Sequence, residues 1–426
     1  MSDIIQVPNM FKNYVYPQKR TIPINTNIIN TYHSEITISR EQALEDFETF
    51  KYLINNAYSG RDYWEMRGVK FKECFAMVES LIRNQEYMPS KLLCEAFYQA
   101  FSGKIVDNHL WLRVFNDDEV YCFSAQKLAY FSGITVENRE GRYIVVQSDC
   151  HGVQNGDIIE CADVSLFPTL APQGKKWFYV GIRDWTPVQT ISIAVNGHET
   201  VVSLHKSRAR DYSPEKSVFF KLNYCSEVPT VQSGTFYDPF HHVPRDCGAE
   251  LGDKLKKEKH VVWVLAGNGG GSSDYALHFI EALNNYANNY THVAHLQTHI
   301  TDFSKVDLNN NYTEWRFSLD EPVDKTKSQF KGTLYTIMNS TTGSSAENAV
   351  GYAKSVKNNI LIGENSAGVG LFGEVQSYIL RHSMIRLGIP CKIFLNGVNE
   401  GEGYLPDYWV DSPDLIGAVT QWIRNQ

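Results

Sequence analysis

The chain has 426 residues, enough for two to three domains at ~150 residues each, and its 43% hydrophobic and 21% charged content suits a globular protein with a sizeable core. A net charge of −8, with no basic cluster beyond Lys254-Leu255-Lys256-Lys257, argues against a nucleic-acid surface. No apolar run approaches the ~18 residues that a membrane span needs.

The first residues, Met1-Ser2-Asp3-Ile4-Ile5, show neither the charged n-region nor the apolar h-region of a signal peptide, which favours a cytoplasmic location. Eight cysteines without a C-x-x-C pair or regular spacing are expected to be reduced, mostly core residues.

Residues 1–38 are polar and irregular, and read as an extension. Ser39-Arg40-Glu41-Gln42 then opens a helix by the capping-box pattern, with Leu44, Phe47, Phe50, Ile54 and Ala57 at helical spacing. Further helices are expected through Phe71–Ile82 and after Pro89-Ser90, giving a helical domain over 39–117 that ends in a strand near His109. From 118 to 209 the texture changes to short alternating strands, a PDZ-like β-rich module. Within it, Asn196-Gly197 between two alternating runs signals a hairpin with a type I′ turn. From 210 to 426 strands and helices alternate: a strand at 261–265, a helix at 275–290, a strand from Leu334, a helix at 345–356, and a strand from Ile360. Ser412-Pro413-Asp414 opens a last helix with Pro at its first position. The fold class is α/β.

Four stretches carry the chemistry. Val261 begins an apolar strand that ends in Gly267-Asn268-Gly269-Gly270-Gly271. Leu334-Tyr335-Thr336-Ile337-Met338 leads into Asn339-Ser340-Thr341-Thr342-Gly343-Ser344-Ser345-Ala346-Glu347, a strand, tight turn and helix. That geometry can hold a nucleophilic hydroxyl where helix N–H groups and the helix dipole stabilise an oxyanion. Taken alone, Ser344-Ser345-Ala346-Glu347 reads first as an S-x-x-E capping box, ahead of a catalytic serine. Gly363-Glu364-Asn365-Ser366-Ala367-Gly368 follows, and then Glu400-Gly401-Glu402-Gly403-Tyr404-Leu405-Pro406-Asp407.

In this order, N-x-G-G, S-x-x-E, G-E-x-x-x-G and a late P-D pair resemble the C-terminal processing peptidase family, the tail-specific proteases and relatives of the tricorn core. The resemblance covers roughly the last half of the chain. It implies a ClpP/crotonase-like catalytic core and a serine endopeptidase acting on extended peptides through an acyl-enzyme. It implies no metal and no organic cofactor. The tail-specific branch places a lysine base where this chain has Val369, and valine carries no proton. The tricorn-like branch instead uses a histidine and a glutamate, which the resemblance places at His109, in the D-x-H pattern of Asp107-Asn108-His109, and at Glu400. Ser344 is then the nucleophile, and the backbone N–H groups of Ser345 and of Gly269 or Gly270 the oxyanion donors. Glu402, two residues from Glu400, competes for the triad position. One departure is Val264-Leu265-Ala266, where the family usually has D-L-R.

Two other readings stay open at the level of sequence. The scaffold could bind peptides or apolar ligands without catalysis, or the 267–271 loop could hold a dinucleotide, although G-x-G-x-x-G fails at Ser272. The histidines at 292, 295 and 299 match no zinc spacing and read as a polar strand face.

Overall fold

The computed structural model describes residues 36–114, 118–160, 164–288, 292–298, 313–319, 323–395 and 398–426, with the backbone alone at 292–298, 313–319 and 395. Most of the expected N-terminal extension, His299 and Cys161 lie outside the described residues. The chain forms two compact units, one from Met1–Ala125, Thr291–Asp320 and Leu371–Gly401, the other from Gln126–Tyr290, Glu321–Gly370 and Glu402–Gln426.

In the first unit, the helix Arg40–Asn56 starts where the capping box predicts. The Gln42 N–H donates to Ser39 Oγ, and the Ser39 N–H donates to Gln42 Oε1 at 2.9 Å. This helix packs with Phe71–Arg83 and Ser90–Phe101 through an apolar stripe, in which the Phe50 and Phe97 rings stack 4.1 Å apart. The same core takes in Leu110 and Leu112 from the strand Asp107–Val114, and Ile385, Leu387 and Ile389 from Ile385–Leu395. Those two strands pair antiparallel, Leu387 opposite Leu112. Burial of alternate residues on one face fixes that register, since a one-residue slip would expose the whole apolar set.

The second unit is built on a fourteen-stranded sheet. Its centre is a parallel run in the order Val228–Gln232, His260–Val264, Thr333–Met338, Asn359–Gly363 and Tyr408–Trp409. Strands covered on both faces read as continuous apolar runs, which is why they were legible. The helices Ala249–Leu255, Asp274–Asn284, Ser345–Ala353 and Leu415–Arg424 accompany them. Beyond Tyr408–Trp409 the sheet continues through Ser165–Thr169 into the antiparallel strands of the β-rich module, which holds no α-helix among its described residues. Its hairpin joins Thr190–Val195 to His198–Ser203 with Asn196 at φ 51° and Gly197 at φ 78°, the I′ geometry expected.

Three helix ends differ from expectation. The helix expected over 275–290 stops at Asn284, because Asn285 takes a left-handed conformation (φ 53°). The next expected helix ends at Ala353. The last begins at Leu415, with Asp414 as its N-cap accepting from the Gly417 N–H at 2.9 Å, so Pro413 lies before the cap. None of the seven described cysteines is in a disulfide; Cys74, Cys94 and Cys391 are buried, and the other four are half-buried.

Candidate active site

Three neighbouring parallel strands of the second unit, His260–Val264, Thr333–Met338 and Asn359–Gly363, run into loops at 265–272, 339–344 and 364–370. Sites in parallel α/β sheets gather at such carboxyl ends. Ser344 sits at φ 53°, ψ −124°, a region costly for any residue with a Cβ and common to strained functional turns. It is the N-cap of Ser345–Ala353, yet its side chain makes no capping bond. The S-x-x-E pattern therefore forms only half of the capping box that it spells, the Glu347 carboxylate accepting from the Ser344 backbone N–H. The neighbouring hydroxyl is committed elsewhere, since Ser345 Oγ donates to the Gly271 carbonyl at 2.6 Å.

The glycine loop lies directly against this turn. A Cβ at Gly270 would come within 2.8 Å of Ser344 Cβ and 2.9 Å of the Ser345 nitrogen, and Gly270 is at φ +103°. Only glycine fits there. Buried Asn268 shapes the loop: its Oδ1 accepts from the Gly270 N–H at 2.9 Å and its carbonyl from the Gly343 N–H at 3.0 Å. The Gly270 donor is thereby occupied. The N–H groups of Gly269 and Ser345 donate to no acceptor among the described residues. Of the two glycines considered from sequence, Gly269 has the uncommitted N–H. The space beside Gly270 that a dinucleotide would approach is filled by the 343–345 backbone.

The third loop is fixed by Glu347, which is fully buried. Its carboxylate accepts from Ser366 Oγ at 2.5 Å, from the Gly368 N–H at 2.9 Å and from the Val369 N–H at 2.7 Å. Burial pushes this carboxyl up to about 7, against the pull of those donors. Ser366 Oγ in turn accepts from the Tyr404 N–H at 2.7 Å. Nearby Glu364 is also buried, accepts from the Ser340 N–H at 3.3 Å, and is raised to about 7 by desolvation.

In the first unit the strand Asp107–Val114 carries the histidine. Asp107 Oδ1 accepts from the N–H groups of His109 and Leu110 at 2.9 and 3.0 Å, which sets the strand entry around the imidazole. Donor atoms of Asp107, His109 and Glu400 all lie within 4.8 Å of one another. Burial lowers the His109 pKa to about 4 and raises that of Asp107 to about 7, so the imidazole is neutral at physiological pH. Glu400 is buried, with Oε1 accepting from the Asn108 N–H and side-chain amide, each at 3.1 Å, and Oε2 from the Leu371 N–H at 3.2 Å. Three such donor atoms could in principle ligate a divalent ion. The backbone donors already on Asp107 and Glu400 tell against that use.

The first unit thus brings together His109 and Glu400, and the second brings together Ser344, Ser345, Gly269 and Gly270. Glu402 is half-buried, and its carbonyl accepts from Arg183 Nη2 at 2.9 Å. Four residues that shape the site escaped the sequence reading: Asn268, Asn339, Ser366 and Asn108. Asn339 Oδ1 accepts from the Gly267 N–H at 2.9 Å and ties the Ser344 turn to the glycine loop. A polar residue ending a buried strand was the one available signal for Asn268 and Asn339.

Residues 249–410 match the family model described as peptidase family S41. No curated protein sequence matches the chain. Among solved structures, mature CPAF is similar at a TM-score of 0.50 with 13% identity, over 91% of this chain and 98% of that one. The photosystem II D1 C-terminal processing protease is 12% identical over 90% of this chain and 96% of its own, at a TM-score of 0.42. The tricorn protease is 13% identical over 91% of this chain and 35% of its own, at 0.38. Residues 249–410 are thus similar to peptidase family S41, and the chain as a whole shares the fold of mature CPAF.

Proposed function

We propose that the chain is an endopeptidase that cleaves extended peptides through an acyl-enzyme, with Ser344 as nucleophile, His109 as general base and Glu400 as the carboxylate that orients the imidazole. The observation that carries this reading is the turn at Ser344. It has a φ of 53° and a side chain that makes no capping bond, and beside it the Gly269 and Ser345 N–H groups have no acceptor among the described residues. Two uncommitted donors next to a strained serine are what a tetrahedral oxyanion requires. A serine hydroxyl still needs a base. His109, held neutral by burial and within 4.8 Å of Glu400, can accept the proton and pass it to the leaving amine. Water, activated by the same imidazole, then releases the acyl group.

A serine-directed fluorophosphonate tests this reading. The wild type takes the probe and cleaves unstructured peptides, and Ser344→Ala does neither. A folded wild type that takes no probe and cleaves no peptide overturns the proposal and leaves a non-catalytic binder on a peptidase scaffold.

A further inference from the structure

We propose that Glu347 is a positioning residue for the nucleophile: its buried carboxylate clamps the 366–369 loop, and through Ser366 the Tyr404 backbone, onto the helix that Ser344 opens. The proposal rests on Ser344 being the nucleophile. In a capping box Glu347 would serve its own helix end. It does accept from the Ser344 backbone N–H, but three further donors come from another loop, 19 to 22 residues along the chain. Ser366 passes the connection on, because the Oγ that donates to Glu347 also accepts from the Tyr404 N–H. Tyr404 lies four residues after Glu400, on the segment that leads away from it.

The clamped loop bears on the residues just before Ser344. The Ala367 N–H donates to the Thr342 carbonyl at 2.8 Å, and a Cβ at Gly343 would meet Val369 Cγ2 at 2.7 Å. A backbone at φ 53° persists only where its surroundings over-determine it. The glycine loop supplies one wall of that restraint, and the loop held by Glu347 supplies the other. Val369, which stands where the lysine-dependent branch has its base, contributes through its N–H and its contact with Gly343. The clamp acts on orientation, so its loss should lower turnover and leave peptide binding nearly intact.

The experiment compares Glu347→Gln, Glu347→Ala and Ser366→Ala by fluorophosphonate labelling rate, by kcat and KM on a peptide, and by amide hydrogen exchange at 366–369 and 404. The glutamine keeps one acceptor oxygen for a backbone N–H of the loop, whereas alanine accepts from none. Expected are a fall of ~10² or more in labelling rate and kcat for Glu347→Ala, with KM within about threefold, and recovery of at least ~10-fold by Glu347→Gln. Exchange at Gly368, Val369 and Tyr404 should quicken together in Glu347→Ala, and at Tyr404 in Ser366→Ala. Labelling of Glu347→Ala at the wild-type rate overturns the positioning role, as does a glutamine variant no faster than alanine. If the wild type itself takes no probe, the peptidase reading fails. The exchange data then decide the clamp by themselves, and unchanged exchange at Tyr404 overturns it.

Discussion

Asn108 holds Glu400 by two donors at once, its backbone N–H and its side-chain amide, both 3.1 Å from Oε1. The residue next to the candidate base therefore fixes the carboxylate that would orient that base. Glu400→Gln keeps the shape and removes the charge, so kcat should fall by ~10²–10⁴ while KM stays nearly constant. Asn108→Ala leaves the backbone donor and the Leu371 N–H in place, and should cost about tenfold in kcat. Glu402→Gln should be nearly silent. Steady-state kinetics on the three variants decides the matter; a silent Glu400→Gln beside a crippled Glu402→Gln moves the triad carboxylate to Glu402.

Register at the nucleophile is the second prediction. Ser344→Ala should abolish probe labelling and peptide cleavage without unfolding the chain. Ser345→Ala should be labelled, slowed about tenfold or less, because it loses the hydroxyl that donates to Gly271 but keeps its backbone N–H. Probe adducts located by peptide mass mapping separate the two, and an adduct on Ser345 places the nucleophile one residue later.

How much of this was legible depended on where each residue's partner lies. The parallel strands announced themselves because burial on both faces makes them continuous apolar runs, and the S-x-x-E spacing pointed to Ser344 as the candidate nucleophile. The same spacing is degenerate with a capping box, however, and nothing local reveals that Glu347 bonds to Ser366, 19 positions away. That Gly270, unlike Gly269, has its N–H occupied was likewise beyond the sequence, since the acceptor is the Asn268 side chain. Asp107 was visible only as one letter of D-x-H. Its part in shaping the strand entry through the His109 and Leu110 N–H groups needed coordinates.

Gly270→Ala provides a third test. The added methyl would meet the Gly343 carbonyl oxygen and Ser344 Cβ, each at 2.8 Å, with backbone on both sides and φ at +103°. No flexible side-chain end can yield there, so the Ser344 turn must shift. Cleavage and probe labelling should fall by ~10² or more, with helix and strand content unchanged by circular dichroism. Wild-type labelling in this variant would show that the turn tolerates displacement and does not need the close approach.

The proposed role of His109 as base sets the expected acid limb of the activity profile. Burial lowers its pKa from 6.5 to about 4, so the neutral base persists well below the usual histidine range. The kcat/KM profile should therefore rise through an apparent pKa clearly under 6.5, and activity at pH 5.5 should stay close to that at pH 7. His109→Ala should lose 10³–10⁴-fold or more. A limb at or above 6.5 would mean that Glu400 stabilises the imidazolium more than burial opposes it.

Buried carboxyls set the stability profile, and Glu364 isolates the effect. Its pKa is raised from 4.5 to about 7 in the folded chain. Between those values the native state keeps a proton that the unfolded chain has released. The stabilisation from this group is complete below about pH 4.5 and is lost as pH rises through about 7, a change of roughly 3 kcal/mol for a shift of that size. His109 works in the opposite sense, since its folded pKa is depressed and its contribution is lost as pH falls from 6.5 towards 4. Glu364→Gln mimics the neutral acid at every pH and keeps an acceptor for the Ser340 N–H. Its urea midpoint should equal or exceed that of the wild type at pH 7.5, and the two should converge near pH 4.5. A variant equally destabilised at both pH values would mean that the carboxylate is ionised in the native state and is needed in that form.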